Sequence, residues 1–174
     1  FKLKNENAYL LVWTTTPWTL PSNLAIAVNP KLKYVYVKYN GFVYIILKDL
    51  AEKYFDNPEI VKVINGKELV GKKYEPLFDY FKGLDKEGAF KILGGDFVLT
   101  DEGTGIVHMA PAFGEVDYDA CKENNLPFVQ PVDQAGKFTK EIPEFEGKFI
   151  KDADILIIKK LEDENKFFKM QKYS

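Results

Sequence analysis

Turn chemistry recurs along this chain at short intervals, and the apolar runs between the turns have the length of strands rather than of long helices. Ala8-Tyr9-Leu10-Leu11-Val12-Trp13-Thr14 is rich in β-branched and aromatic residues and ends before Pro17. Leu24 to Val28 is closed by Asn29-Pro30, and Ile60 to Ile64 by Asn65-Gly66. Tyr34 to Tyr39 and Phe42 to Leu47 flank Asn40-Gly41, the strongest local hairpin signal a sequence offers. Phe97 to Thr100, Gly105 to Met109 and Phe128 to Val132 read as further strands.

Three segments read as helices. Asp49 to Phe55 makes a short one with Asp49 as its cap, and Glu115 to Asn124 carries acidic residues in its first turns. The longest runs from Asp152 to Phe168, with Ile155, Leu156, Ile158 and Leu161 as its apolar stripe. Many short strands and few helices imply a mainly β fold with peripheral helices, a barrel or strongly curled sheet, as one domain over residues 1–174. Hydrophobic residues at 46% and aromatics at 15% exclude a disordered composition. No apolar run approaches the ~18 residues of a transmembrane helix. A single cysteine, Cys121, excludes an internal disulfide and a cysteine-based zinc cluster and fits a reducing cytosol. The start at Phe1, with no initiator Met and no signal-peptide pattern, leads us to expect a segment cut from a longer protein. All 24 basic residues are Lys and the net charge is −2, which argues against an autonomous nucleic-acid binder but not against a module that receives one strand end.

Two segments carry chemistry. In Trp13-Thr14-Thr15-Thr16-Pro17-Trp18-Thr19-Leu20-Pro21-Ser22-Asn23, strand alternation sends Thr14 and Thr16 to one face and Thr15 to the other. Pro17 suits a first helical position and makes Thr16 a natural N-cap, leaving the N–H groups of Trp18 and Thr19 to meet a carbonyl or an oxyanion. A cap after a strand is also an ordinary structural device. In Gly103-Thr104-Gly105-Ile106-Val107-His108-Met109-Ala110-Pro111-Ala112-Phe113-Gly114-Glu115-Val116-Asp117, the only histidine ends a strand and a carboxylate follows nine residues later in a first helical turn. The two converge on one strand–loop–helix junction, where binding residues often sit. A core histidine and an aspartate that complements the helix dipole are the structural alternatives. There is no P-loop, no G-x-S-x-G and no G-x-G-x-x-G, and one His with one Cys cannot build a zinc site. Asp101 and Glu102 read as solvated.

Together the two segments resemble the insertion (CP1, editing) domain of isoleucyl-tRNA synthetases, of an archaeal or eukaryotic-like type. Valyl and leucyl relatives carry a Thr-Thr-Arg-Pro pattern where this chain has Thr14-Thr15-Thr16-Pro17, and lack the histidine before Ala-Pro-Ala-Phe-Gly that is His108 here. The likeness is clear over Ala8 to about Val28 and Gly103 to about Phe138. Val116 departs from it, since that type often has another acidic residue there.

The resemblance implies the β-barrel-like α+β fold of the Ile/Val/Leu editing domains and hydrolysis of valine from mischarged isoleucine tRNA. The signatures of the synthetic site are absent, so neither ligation nor ATP binding is expected of this segment. Isoleucyl synthetases are themselves the usual illustration that one methylene gives only about 150-fold discrimination by binding, so a second sieve must act on the smaller product. Asp117 would pair with the substrate ammonium and His108 would set the pocket's size, with a lower-ranked role as general base. Thr14, Thr15 and Thr16 would hold the carbonyl, ribose hydroxyls or attacking water. Trp13 would form a wall, with Trp18, Thr19, Ala110 and Phe113 as further substrate-binding positions. No cofactor or metal is implied. The expected partners are the aminoacylated 3′ end of isoleucine tRNA, its valine and the rest of a synthetase in cis, in the cytoplasm and away from membranes. A module that binds the tRNA end without hydrolysis, a free-standing hydrolase of the same chemistry and a structural insert with a decayed site are the competing readings.

Overall fold

In the computed structural model, which describes residues 1–170, the strands are β1 (Tyr9–Leu10), β2 (Ala25–Val28), β3 (Lys33–Tyr39), β4 (Phe42–Leu47), β5 (Glu59–Asn65), β6 (Lys91–Gly94) and β7 (Ile106–Met109). The α-helices are α1 (Ala51–Tyr54), α2 (Glu115–Glu123) and α3 (Ile150–Asp163), with 3-10 turns between elements. The mainly β class with peripheral helices holds, but the described strands form two mixed sheets and close no barrel. One sheet has the order β1-β4-β3-β5 and the other β6-β2-β7. The β3–β4 hairpin turns on Asn40 (φ 49°) and Gly41 (φ 82°), the paired left-handed residues that let a two-residue turn follow the strand twist.

Strand β2 fixes the layering. It pairs parallel with β6 and antiparallel with β7, and all four residues are fully buried. Alternation sends Ile26 and Val28 into the main core, which is built with Tyr34, Val35, Val37, Ile45, Ile46 and Ile92. Ala25 and Ala27 face a second core with Leu93, Met109 and Cys121 of α2. A strand buried on both faces reads as an unbroken apolar run, and Leu24 to Val28 is one. A third core joins Leu20 to Phe138, Ile142, Phe145 and the inner face of α3.

Several expected elements differ. Phe97 to Thr100 is loop, and the strand lies just before it at β6. Phe128 to Val132 makes only one bridge, Val132 to Phe138. The run from Ala8 to Thr14 contains only β1 and a single bridge at Trp13. Asp49 caps nothing: a 3-10 turn, Lys48–Leu50, leads into α1. Helix α3 ends at Asp163, and Asn165 beyond it is left-handed (φ 59°). Its buried stripe is Ala153, Ile157 and Leu161, whereas Ile155 is 77% exposed.

Candidate functional site

The two segments singled out in the sequence lie side by side. Trp13 bridges Val107 in parallel, so the first segment runs along the free edge of β7. Thr14 to Thr16 then turn away: the Thr16 N–H donates to Thr14 Oγ1 at 3.0 Å, and the two hydroxyl oxygens stand 3.4 Å apart. Thr14 and Thr16 thus meet through a local turn and not by strand alternation, which also fails for Thr15, since all three line one pocket; Thr15 and Thr16 are solvent-exposed. Pro17–Ser22 is a 3-10 helix with Thr16 at its N-cap position but no side-chain cap, which corrects the capping role expected of Thr16. The two N–H groups expected to be open are also taken. The Trp18 N–H donates to Asp154 Oδ1 of α3 at 2.8 Å, and the Thr19 N–H to the Thr16 carbonyl at 3.1 Å.

Gly103-Thr104-Gly105 delivers the second segment. Gly105 has φ 75°, and a Cβ there would lie 2.4 Å from Leu47 Cβ, so no side chain fits. Tyr54 and Tyr34 donate to the carbonyls of Gly103 and Gly105 at 2.9 and 2.6 Å, and Thr104 Oγ1 to that of Leu11 at 2.6 Å. So held, the chain enters β7, where His108 stands opposite Ile26.

His108 is buried, and both its nitrogens are engaged. Nδ1 lies 3.1 Å from Asn23 Nδ2 and Nε2 lies 2.7 Å from Thr19 Oγ1. Burial pushes its pKa down to about 4, so the ring is neutral at neutral pH. Asp117, in the first turn of α2, accepts the Ala110 N–H on Oδ2 at 3.0 Å. Burial raises its pKa, and the bond from Ala110 opposes that rise. Cys121 on the same helix is buried with its thiol pushed up to about 12, which makes it a poor nucleophile.

A pocket of about 320 Å³ opens between these groups, lined by Trp13, Thr14, Thr15, Thr16, Thr19, His108, Ala110, Phe113 and Asp117. Trp18 is not in its wall and instead packs edge-on against Phe113, with ring centroids 4.8 Å apart. Phe97, Leu99, Glu102 and Val116 also line the pocket, none of them expected there; Glu102, read from the sequence as solvated, is half-buried. Asn23 closes the first segment, and no local pattern pointed to its place beside His108. Asp154, more than a hundred residues from its partner Trp18, carried no local signal at all.

The arrangement is a cleft lined by a carboxylate, a neutral imidazole and threonine hydroxyls. Solved structures share the fold. GlLeuRS-CP1 superposes with a TM-score of 0.77 at 16% identity, covering 98% of this chain and 86% of that one. The editing domain of the P. knowlesi cytosolic leucyl-tRNA synthetase gives 0.68 at 16% identity, covering 91% and 82%. The protein therefore has the fold of a synthetase editing domain. More particularly, the chain is homologous to a segment of isoleucine–tRNA ligases, being 52% identical over 95% of its length to that of Chlamydia pneumoniae and 49% over 97% to that of Chlamydia trachomatis serovar L2. It spans 16% and 17% of the length of those two relatives. No family model matches the chain. Both relatives are bacterial and lend no support to the archaeal or eukaryotic-like type. No helix among the described residues is long and apolar enough to cross a membrane.

Proposed function

We propose that this chain is an editing module that hydrolyses the ester joining valine to the terminal adenosine of isoleucine tRNA, working in cis with the remainder of a synthetase. The observation that carries the reading is the meeting of Asp117, His108 and Thr14 to Thr16 on one pocket of about 320 Å³, a volume suited to a small amino acid and its ester. Asp117 receives the α-ammonium, with one oxygen steadied by Ala110. That cation also favours the ionised carboxylate against the upward pull of burial. His108 limits the length of the side chain admitted. With a hydrogen bond at each ring nitrogen and a strongly lowered pKa it is a wall rather than a base. An aminoacyl ester is already activated, so a water oriented by the threonine hydroxyls suffices as nucleophile.

A second reading, a module that holds the aminoacylated end without cleaving it, draws on one observation: the Trp18 and Thr19 N–H groups are occupied, leaving oxyanion stabilisation to the hydroxyls. Deacylation of valyl- and isoleucyl-tRNA(Ile) separates the two. We expect turnover of the valyl ester and rejection of the isoleucyl ester, with Asp117→Ala slowing the first at least about a hundredfold, as removal of a charge-assisted contact at the reacting group does. Binding without turnover favours the second reading, and full activity in Asp117→Ala removes the ammonium assignment.

A further inference from the structure

Behind the pocket the side chains form a directed chain of hydrogen bonds whose polarity is set by the backbone carbonyls of Ala25 and Thr16. Tyr74, fully buried and outside the pocket wall, gives its hydroxyl hydrogen to Asn23 Oδ1 at 2.5 Å. The amide nitrogen of Asn23 faces the other way, donating to the Ala25 carbonyl at 2.8 Å and to His108 Nδ1 at 3.1 Å. A carbonyl only accepts, so the amide orientation is unambiguous, and Nδ1 has to present a lone pair. The ring hydrogen then sits on Nε2 and goes to Thr19 Oγ1 at 2.7 Å, which passes its own to the Thr16 carbonyl at 2.9 Å. The last acceptor belongs to the threonine segment that lines the pocket.

We infer that Tyr74 is a positioning residue of this site: by anchoring the Asn23 amide, whose orientation the Ala25 carbonyl sets, it fixes the ring of His108, a neutral Nε2–H tautomer, against the pocket. An inverted Asn23 amide would turn Oδ1 toward the Ala25 carbonyl, so Ala25 sets its orientation, while the Tyr74 hydroxyl, which can donate or accept, anchors its position. Removing the Tyr74 hydroxyl leaves one restraint of the two. The imidazole then loses its fixed partner at Nδ1 and can tilt, lengthening the space it bounds. The consequence for selectivity rests on the editing reading above, whereas the anchoring of the ring does not.

His108 is the only histidine in the chain, so an imidazole ¹⁵N spectrum reports it without assignment. In the wild type we expect a bare Nδ1 and a protonated Nε2. Tyr74→Phe, which keeps the ring volume, should retain the Nε2–H tautomer but shift and broaden the Nδ1 signal as its partner loosens, with an unchanged circular dichroism spectrum. It should also raise isoleucyl- relative to valyl-tRNA deacylation by between about twofold and tenfold, the range one net hydrogen bond supports. A protonated Nδ1 in the wild type overturns the inference. So does a Tyr74→Phe spectrum identical to wild type, or a shifted Nδ1 signal with unchanged discrimination. Asn23→Asp supplies a second route: it places an oxygen against Nδ1 and should draw the proton there, and a bare Nδ1 in that variant counts against the role given to Asn23. If the wild type cleaves neither ester, the editing reading falls while the spectra still decide the tautomer.

Discussion

His108 shows how one residue links site chemistry to stability. Its pKa falls from 6.5 in the unfolded chain to about 4 in the fold because the ring is buried. Between those values the unfolded chain binds more protons than the folded one, so stability rises with pH across that interval. The contribution is complete above about pH 6.5, is lost as pH falls toward about 4, and is flat below. The two values differ by an amount worth on the order of 3 kcal/mol in full. Asp117, with a raised pKa, has the opposite sign: its protonated form suits the fold, so it adds stability at low pH that is lost as pH rises. Chemical denaturation of wild type and His108→Gln at pH 4.5 to 7.5 separates the two, since the difference between the curves contains the histidine alone. A difference that does not grow with pH over this window would mean that the ring is not buried neutral. Asp117 and His108 were both legible in the sequence as residue types at a junction. Their states were not, because the groups that set them, Asn23, Thr19 and Ala110, approach through pairing and packing.

At the scale of elements, legibility followed the kind of constraint. The β3–β4 hairpin was read correctly because Asn40-Gly41 demands one turn geometry from two adjacent residues. Strand β2 was read because burial on both faces leaves an unbroken apolar run. The face of α3 was misread because Ile155, Leu156, Ile157 and Ile158 are all apolar, and four consecutive residues carry no helical phase. The phase comes from Ala153 and Leu161, which join Ile157 against Leu20, Phe138 and Phe145. That docking has a further effect, since Asp154 on the next position reaches the Trp18 N–H at 2.8 Å. Burial raises the Asp154 pKa, the bond from Trp18 and the charge of Lys151 opposing it. Asp154→Ala leaves the Trp18 N–H without that acceptor at a cost of about 1–2 kcal/mol, as for other unmade bonds. Trp18 packs on Phe113 and Thr19 on His108, so the loss should also slow valyl-tRNA deacylation. Asp154→Asn retains an accepting oxygen and should recover most of both. Equal loss in the two variants would show that charge, rather than the hydrogen bond, ties α3 to the threonine segment.

The whole molecule places a chemically specific pocket on a surface with little to hold a nucleic acid. The chain has a net charge of −2 and no arginine, so it lacks both a positive field and the bidentate forks that grip phosphates. Its relatives are about six times longer by the share they match, and the proposed division of labour follows: the rest of a synthetase holds the tRNA body while this segment takes the terminal ester. Each phosphate neutralised on a single strand steepens the salt dependence of binding by about 0.7 in log–log slope. A segment touching only the last nucleotides should contact one or two phosphates. Its affinity for a non-hydrolysable valyl-tRNA(Ile) analogue, measured by fluorescence anisotropy between about 50 and 200 mM salt, should therefore fall with a slope no steeper than about −1.5. A full-length synthetase should show a slope several times larger, with tighter binding and the same preference for valine over isoleucine at the ester. A steep slope in the segment itself would require a continuous lysine track for the tRNA body and would place recognition here rather than in the partner domains. A loss of the valine preference on isolation would mean that the pocket's dimensions are set from outside, although its wall is lined by this chain's own threonine segment, the loop leading into β7, β7 itself and the start of α2.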